Sequence, residues 1–346
     1  MSTLALRPPP TGDTEETDWT ALRNFAALHG QLRVSLTPRC NINCWFCHNE
    51  GEIPPGLTRL DPARRPRPGA MTAEMYIRFI DQLVRAGLKR IHFTGGEPLA
   101  SPLARPVLEG IPEHPASEQT YTLITNGLLV RRALPWLART RLDRVKVSLH
   151  YFSDDSLHAI ARTRHGIAEV LDGIELARRH FPAVELNTLV QRQNQHEIPA
   201  ILDYALSRGL PVQFIELVGT EHNGGTDGML GTDDLVRRLR ALASLERVEV
   251  AGVGQGRRVF TIDGVEIQVI QRALGRHHVG QCGHCPLRRQ CIEGFWALRL
   301  DHTGALAPCL LRDDLRTDLR PSDSAAGAGV AAAVARYVAA FTEGTL

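Results

Sequence analysis

Three cysteines within one short run, Cys40, Cys44 and Cys47 in CNINCWFC, constrain this chain more than any other feature. Three thiolates at this spacing can hold three corners of a cubane 4Fe–4S cluster and leave the fourth iron without a protein ligand. Clusters that only carry electrons usually take four cysteines. The open corner is a place to bind something reactive. Zinc is the alternative, but it normally takes four ligands and favours CxxC pairs. Three coincidental buried thiols are the blander reading.

The other cysteines bear on the same question. Cys282, Cys285, Cys291 and Cys309 form a second group, CGHCPLRRQC followed by LAPC, so the seven divide as three plus four. An odd number cannot pair completely within one chain, and the absence of a signal-like start or a long apolar run points to cytosolic thiols acting as ligands. A CxxC pair with two further cysteines is a metal site; four-thiolate zinc and a second 4Fe–4S cluster both fit it. His284 lies inside the CxxC and is expected to point outward. A net charge of +2 excludes a general nucleic-acid coat.

Strand-like runs recur along the chain: 32–37, 90–95, 121–126, 145–150, 184–190 and 212–218. Amphipathic helical stretches lie between several of them, at 73–86, 167–180 and 197–208. Alternation of this kind gives right-handed βαβ crossovers and a parallel sheet. The expectation is an α/β fold, a partial (βα)6 TIM-like barrel with a small C-terminal auxiliary-cluster domain. Residues 1–30 would form a polar lead-in and short helix, 31–218 the barrel, 219–245 a linker and helix, and 246–346 the auxiliary domain, ending in an Ala-rich helix. Proline and arginine at 52–70 suggest a surface loop, and glycines at 220–231 a break in the pattern.

In barrels of this type the reactive residues sit at the C-terminal ends of the strands. The motifs obey that rule. The cysteine loop follows the first strand, Gly95, Gly96, Glu97 and Pro98 end the second, and Thr125, Asn126 and Gly127 end the third. Ser148 ends the fourth and Asn187 lies in the fifth. Ser148 and Asn187 are polar in otherwise apolar strands, so each either bonds a buried backbone partner or reaches a ligand. A GVGQG run at 252–256 lacks the full dinucleotide fingerprint and is set aside.

Together these residues resemble the radical S-adenosylmethionine (SAM) superfamily and, within it, the MoaA family of GTP 3′,8-cyclases. The likeness covers about residues 32–310, through LRVSLTPRCNINCWFC, RIHFTGGEPL, LITNG, VKVSL, FIEL and RLDHTGALAPCL. It implies a cluster on Cys40, Cys44 and Cys47 whose open iron chelates SAM. Gly95, Gly96, Glu97, Thr125, Asn126, Ser148 and Asn187 would bind that cofactor. A second 4Fe–4S cluster would sit on Cys282, Cys285, Cys291 and Cys309, with Arg33 on a phosphate of a nucleotide substrate and Arg299, one of the family's two hairpin arginines, as a further substrate residue. The implied reaction is carbon–carbon bond formation through a 5′-deoxyadenosyl radical, fed by flavodoxin or ferredoxin in the cytoplasm, with no nucleic-acid or membrane partner.

Several positions depart from the family's pattern. Ala297 replaces one hairpin arginine, Gln213 replaces the arginine before FIE, and the basic pair before GGEP reads Arg90 and His92. The family's auxiliary CxxC, just before the hairpin, falls here on Ile292 and Phe295, and the auxiliary set gains a fourth cysteine. The chain ends EGTL in place of Gly-Gly. A MoaA-like enzyme acting on another small molecule, or one that modifies a peptide, is the alternative.

Overall fold

The computed structural model describes residues 18–48, 70–113, 119–217, 228–249, 256–275, 278–289, 291, 293–319 and 329–346. The expected lead-in at 1–17, the loop at 52–69, the glycine-rich 220–227, Asn49 and the 252–255 part of GVGQG lie outside these residues. Six strands run parallel in sequence order: β1 (Gln31–Ser35), β2 (Arg90–Thr94), β3 (Thr120–Thr125), β4 (Arg144–Ser148), β5 (Ala183–Val190) and β6 (Val212–Glu216). Each falls within two residues of a predicted run.

Helices α1 (Thr20–Ala27), α2 (Ala73–Arg85), α3 (Ala104–Gly110), α4 (Val130–Leu137), α5 (Asp154–Ala161), α6 (Ile167–His180) and α7 (Ile198–Ser207) accompany these strands. Helix α2 shows why one forms. Thr72 Oγ1 accepts the Met75 amide at 3.3 Å, and Tyr76, Phe79, Ile80 and Leu83 bury one face against the sheet.

The sheet continues at both edges. After α8 (Asp233–Leu242), the strands β7 (Leu245–Glu249), β8 (Arg257–Ile262) and β9 (Val265–Ile270) form an antiparallel set whose last member lies parallel to β6. At the other edge β10 (Ala297–Leu300) lies parallel to β1 and continues antiparallel through β11 (Ala305–Ala307) and β12 (Thr317–Asp318). The hairpin expected around residues 296–308 is therefore the join between the C-terminal segment and the barrel. Helix α9 (Gly329–Thr342) caps that join: Phe25, Phe295 and Phe341 stack with centroids 5.0 and 4.8 Å apart.

One feature of the strands matters for function. Along β5 the buried positions Val184, Leu186, Thr188 and Val190 alternate with Glu185, Asn187 and Leu189, which line a cavity. In a closed eight-stranded barrel the inward positions are branched apolar residues that fill the middle. Here most inward positions are polar, and the interior is a cavity of about 1000 Å³.

Candidate active site

The cysteine loop stands at the C-terminal end of β1, where neighbouring loops fix it from two sides. Asn43 and Trp45 donate their amides to the carbonyls of Ala161 and Ile160 at 2.8 and 3.1 Å. Those carbonyls belong to the last turn of α5, which has no further turn to accept them. Arg162 ends that helix at φ 47°, in the left-handed region.

From the other side the GGE segment docks by backbone alone. Gly96 donates to the Thr37 carbonyl at 2.7 Å and Glu97 to that of Arg39 at 2.8 Å. A Cβ on Gly96 would lie 2.1 Å from the Arg39 oxygen, and Gly95 holds φ 139°. Both positions need glycine because the two chains meet closely. The glycines therefore support the loop that carries Cys40.

Glu97 is buried, and its carboxylate ties the second strand's end to the third. It accepts from Thr125 Oγ1 at 2.8 Å, from the Asn126 amide at 2.8 Å and from the Leu99 amide at 3.0 Å. Burial raises its pKa to about 7 against those donors. Asn126, so positioned, donates through Nδ2 to Asn41 Oδ1 at 2.7 Å inside the cysteine loop. A Glu97–Asn126–Asn41 relay thus locks three strand ends together.

The thiols are close enough to oppose one another's ionisation. Burial pushes Cys40 up to about 12, with the Glu97 and Cys47 charges adding to the effect. Cys44 is driven well above the usual thiol range by burial and then by Cys47 and Cys40. Among the described residues no group of three or more His, Cys, Asp or Glu is arranged to hold a single metal ion. A cubane compensates the charge of several neighbouring thiolates with several irons, which suits three mutually repelling thiols.

The cavity wall brings together Cys40, Cys44, Cys47, Gly95, Gly96, Glu97, Thr125, Asn126, Ser148, Asn187, Arg33 and Arg299, the N-terminal cysteines and every other predicted non-cysteine site residue. Ser148 and Asn187 are register partners on β4 and β5. Asn187 Oδ1 is buried with no hydrogen-bond partner, the mark of a group that waits for a ligand. Arg33 and Arg299 are register partners on β1 and β10, and both guanidinium groups lie over the Trp296 ring, at 5.7 and 5.5 Å. Arg299 is already engaged: its Nη2 bonds Glu293 Oε2 at 2.7 Å, and both side chains are 7% exposed.

Residues 34–205 match the Radical SAM superfamily. A GTP 3′,8-cyclase of Streptomyces coelicolor is 32% identical over 307 residues, covering 86% of this chain and 82% of that protein. The chain is a radical SAM protein of the GTP 3′,8-cyclase-like family. A GTP 3′,8-cyclase 1 of Pseudomonas aeruginosa is 31% identical over 295 residues, with 84% and 83% covered. In fold the chain is similar to the crystal structure of Streptococcus suis SuiB bound to S-adenosylmethionine, at a TM-score of 0.56 and 14% identity. That likeness covers 85% of this chain and 64% of the other. A radical SAM protein holds SAM on a 4Fe–4S cluster, and the thiol set, the glycine-lined approach and the unpartnered Asn187 oxygen fit both.

The C-terminal cysteines do not line the cavity. Cys291 is buried and accepts the Gly294 amide at 3.5 Å; Cys309 accepts the Leu311 amide at 3.2 Å. Arg312 Nη1 reaches Cys285 Sγ at 3.6 Å. Amides and a guanidinium aimed at sulfur are the donors a thiolate ligand needs. Cys282 feels Cys291 and Cys285, and Cys309 feels Arg299, Glu293 and Cys291, so the group backs onto the Arg299–Glu293 pair. His284 is exposed, as expected.

Sequence reasoning missed several lining residues: Lys146, Glu185, His150, Tyr151, Glu293 and Trp296. Lys146 and Glu185 carried a signal. Each is a charge at an alternate position of an apolar strand, on the same face as Ser148 and Asn187. Among the described residues no helix is long and apolar enough to cross a membrane.

Proposed function

We propose that this chain is a two-cluster radical SAM enzyme that forms a carbon–carbon bond within a small, nucleotide-type substrate, as its GTP 3′,8-cyclase-named relatives suggest. The observation that carries the reading is a cavity that gathers the cysteine triplet, the strand-end motifs and Trp296. Cys40, Cys44 and Cys47 would hold the first cluster, and Cys282, Cys285, Cys291 and Cys309 a second. Once bound, the first cluster and SAM supply a 5′-deoxyadenosyl radical by one-electron cleavage of the sulfonium.

The chain's own residues do the rest. Glu97 and Asn126 keep the cysteine loop in register with the strand ends. Ser148 and Asn187 present polar atoms where the cofactor's ribose or carboxylate would lie. Arg33, Arg299 and Trp296 would hold the substrate at the far side, and buried Phe46 helps shield the thiols from water. A reduced flavodoxin or ferredoxin in the cytoplasm would deliver the electron.

A second reading, a MoaA-like enzyme acting on another small molecule, is favoured by the fourth C-terminal cysteine. Four thiolates close a cluster and leave no iron for substrate. Anaerobic reconstitution followed by incubation with SAM, dithionite and GTP separates the two. A GTP-derived isomer in the mass spectrum supports cyclisation of GTP. Cleavage of SAM without it keeps the radical chemistry and rejects that substrate.

A further inference from the structure

We infer that the Tyr151 hydroxyl donates a hydrogen bond to a sulfur atom of the first cluster and so sets how easily that cluster accepts its electron. The inference rests on the reading that Cys40, Cys44 and Cys47 hold a 4Fe–4S cluster, and it adds a residue to that site.

The chain has five tyrosines, and four of their hydroxyls donate to protein oxygens. Tyr76 reaches the Ser35 carbonyl at 2.8 Å, Tyr121 that of Pro112 at 3.0 Å and Tyr337 that of Leu315 at 2.7 Å. Tyr204 reaches Glu175 Oε1 at 3.4 Å. Tyr151 is the exception. Its side chain is fully buried in the cavity wall, and its hydroxyl has no hydrogen-bond partner. A phenol shut away from water in this way costs stability unless a bound group completes it.

Its position points to the cluster as that group. Tyr151 lies between β4 and α5, the helix whose last carbonyls hold Asn43 and Trp45 of the cysteine loop. Phe46 of the same loop, His150 and Tyr151 pack edge to face in succession, with centroids 5.1 and 6.3 Å apart. His150 Nδ1 accepts the Leu189 amide at 3.0 Å, which fixes the middle ring on β5. The phenol is thus held in place against the loop. Burial, and then the Cys44, Cys40 and Glu97 charges, hold its pKa well above the ordinary phenol range, so it keeps a proton to donate. Of those three neighbours, Glu97 is already occupied by Thr125, Asn126 and Leu99. The other two are cluster ligands.

Reduction would add negative charge in apolar surroundings. Ile42 and Phe46 are buried, and burial holds the His150 pKa down at about 4, so that ring brings no charge. A hydroxyl proton directed at sulfur offsets part of the cost of the added electron, and so raises the reduction potential.

Redox titration of the reconstituted full-length protein, followed by electron paramagnetic resonance with and without SAM, tests this in wild type and Tyr151→Phe. The first cluster is recognised by the signal that responds to SAM. The variant keeps the ring and should load the same iron. Without SAM, its first cluster should shift about tenfold toward the oxidised form, a potential about 59 mV lower, while the second cluster stays put. A shift of less than about twofold overturns the inference. So does a shift seen only with SAM bound, which would assign the hydroxyl to the cofactor. If the variant takes up no iron, wild-type chain made with 3-fluorotyrosine decides. Fluorine makes the phenol a stronger donor, the other four hydroxyls are bonded to protein oxygens, and the first cluster's potential should rise; an unchanged potential overturns the inference. A wild type that loads no cluster on Cys40, Cys44 and Cys47 rejects the cluster reading and this inference with it, whereas a loaded cluster indifferent to the hydroxyl rejects the inference alone.

Discussion

The chain's two cysteine groups are held in opposite ways. Cys40, Cys44 and Cys47 sit on a loop that opens into the cavity, fixed by backbone bonds from Gly96, Glu97 and the end of α5. Cys282, Cys285, Cys291 and Cys309 lie outside the cavity, with amides and an arginine directed at their sulfur atoms. A cluster held on the first group would face the cavity and could take a ligand there. The second surrounds its sulfurs with protein donors, as a site for electron storage or structure would. Number of ligands and access to a cavity go together.

Replacing one thiol of the first group should have the largest effect. Cys44→Ala is expected to lower SAM cleavage about a thousandfold or more, with loss of about four irons per chain. Iron analysis and 5′-deoxyadenosine formation check it; cleavage near the wild-type rate would erase the contrast between the groups. Gly96→Ala attacks the same group without touching a ligand. Its Cβ would meet the Arg39 carbonyl, so the loop must shift at a cost of about 1–3 kcal/mol. The first cluster's SAM-dependent spectral change should weaken while the second cluster's signal persists.

Cys309→Ala should do the reverse. Iron content falls, but cleavage of SAM without added substrate stays within about threefold of wild type. If it collapses, the second group supports the first and the two are not separable.

The smallest effect concerns pH. Glu97 has its folded pKa raised from the model-peptide 4.5 to about 7 by burial, so the stability linked to its protonated form is complete below about 4.5 and is lost as pH rises through about 7. Its size is at most about 3 kcal/mol. Glu97→Gln should remove this slope, so wild type loses melting temperature relative to the variant between pH 5 and 8. Parallel melting curves would reject the assignment.

Much of this was legible in the residues. The strand-like runs at 90–95 and 184–190 and the helical stretch at 167–180 matched; β5 buries every second residue and α6 buries Val170, Gly173, Ile174 and Ala177 at helical spacing, as their patterns dictate. Arg33 and Arg299 were both marked for the site, yet sequence could not show that they stand side by side on β1 and β10, nor that Glu293 takes the charge of Arg299. GGEP was marked as a contact for the cofactor; sequence could not show that its glycines also brace the cysteine loop and that its glutamate also binds the third strand's end. Local spacing reports which residues share a strand face. It says nothing about a partner two hundred residues away.

The sequence alone determined a three-thiol ligand set at the head of a βα repeat, because coordination number and strand periodicity are written in spacing. Tertiary structure alone decided that β9 and β10 join the two edges of that repeat, that the barrel's middle is a cavity lined largely by polar residues, and that Arg299 in its wall stands against Glu293. Those outcomes depend on strand register between distant segments, where Coulomb energy and packing are set by distance in space and not along the chain.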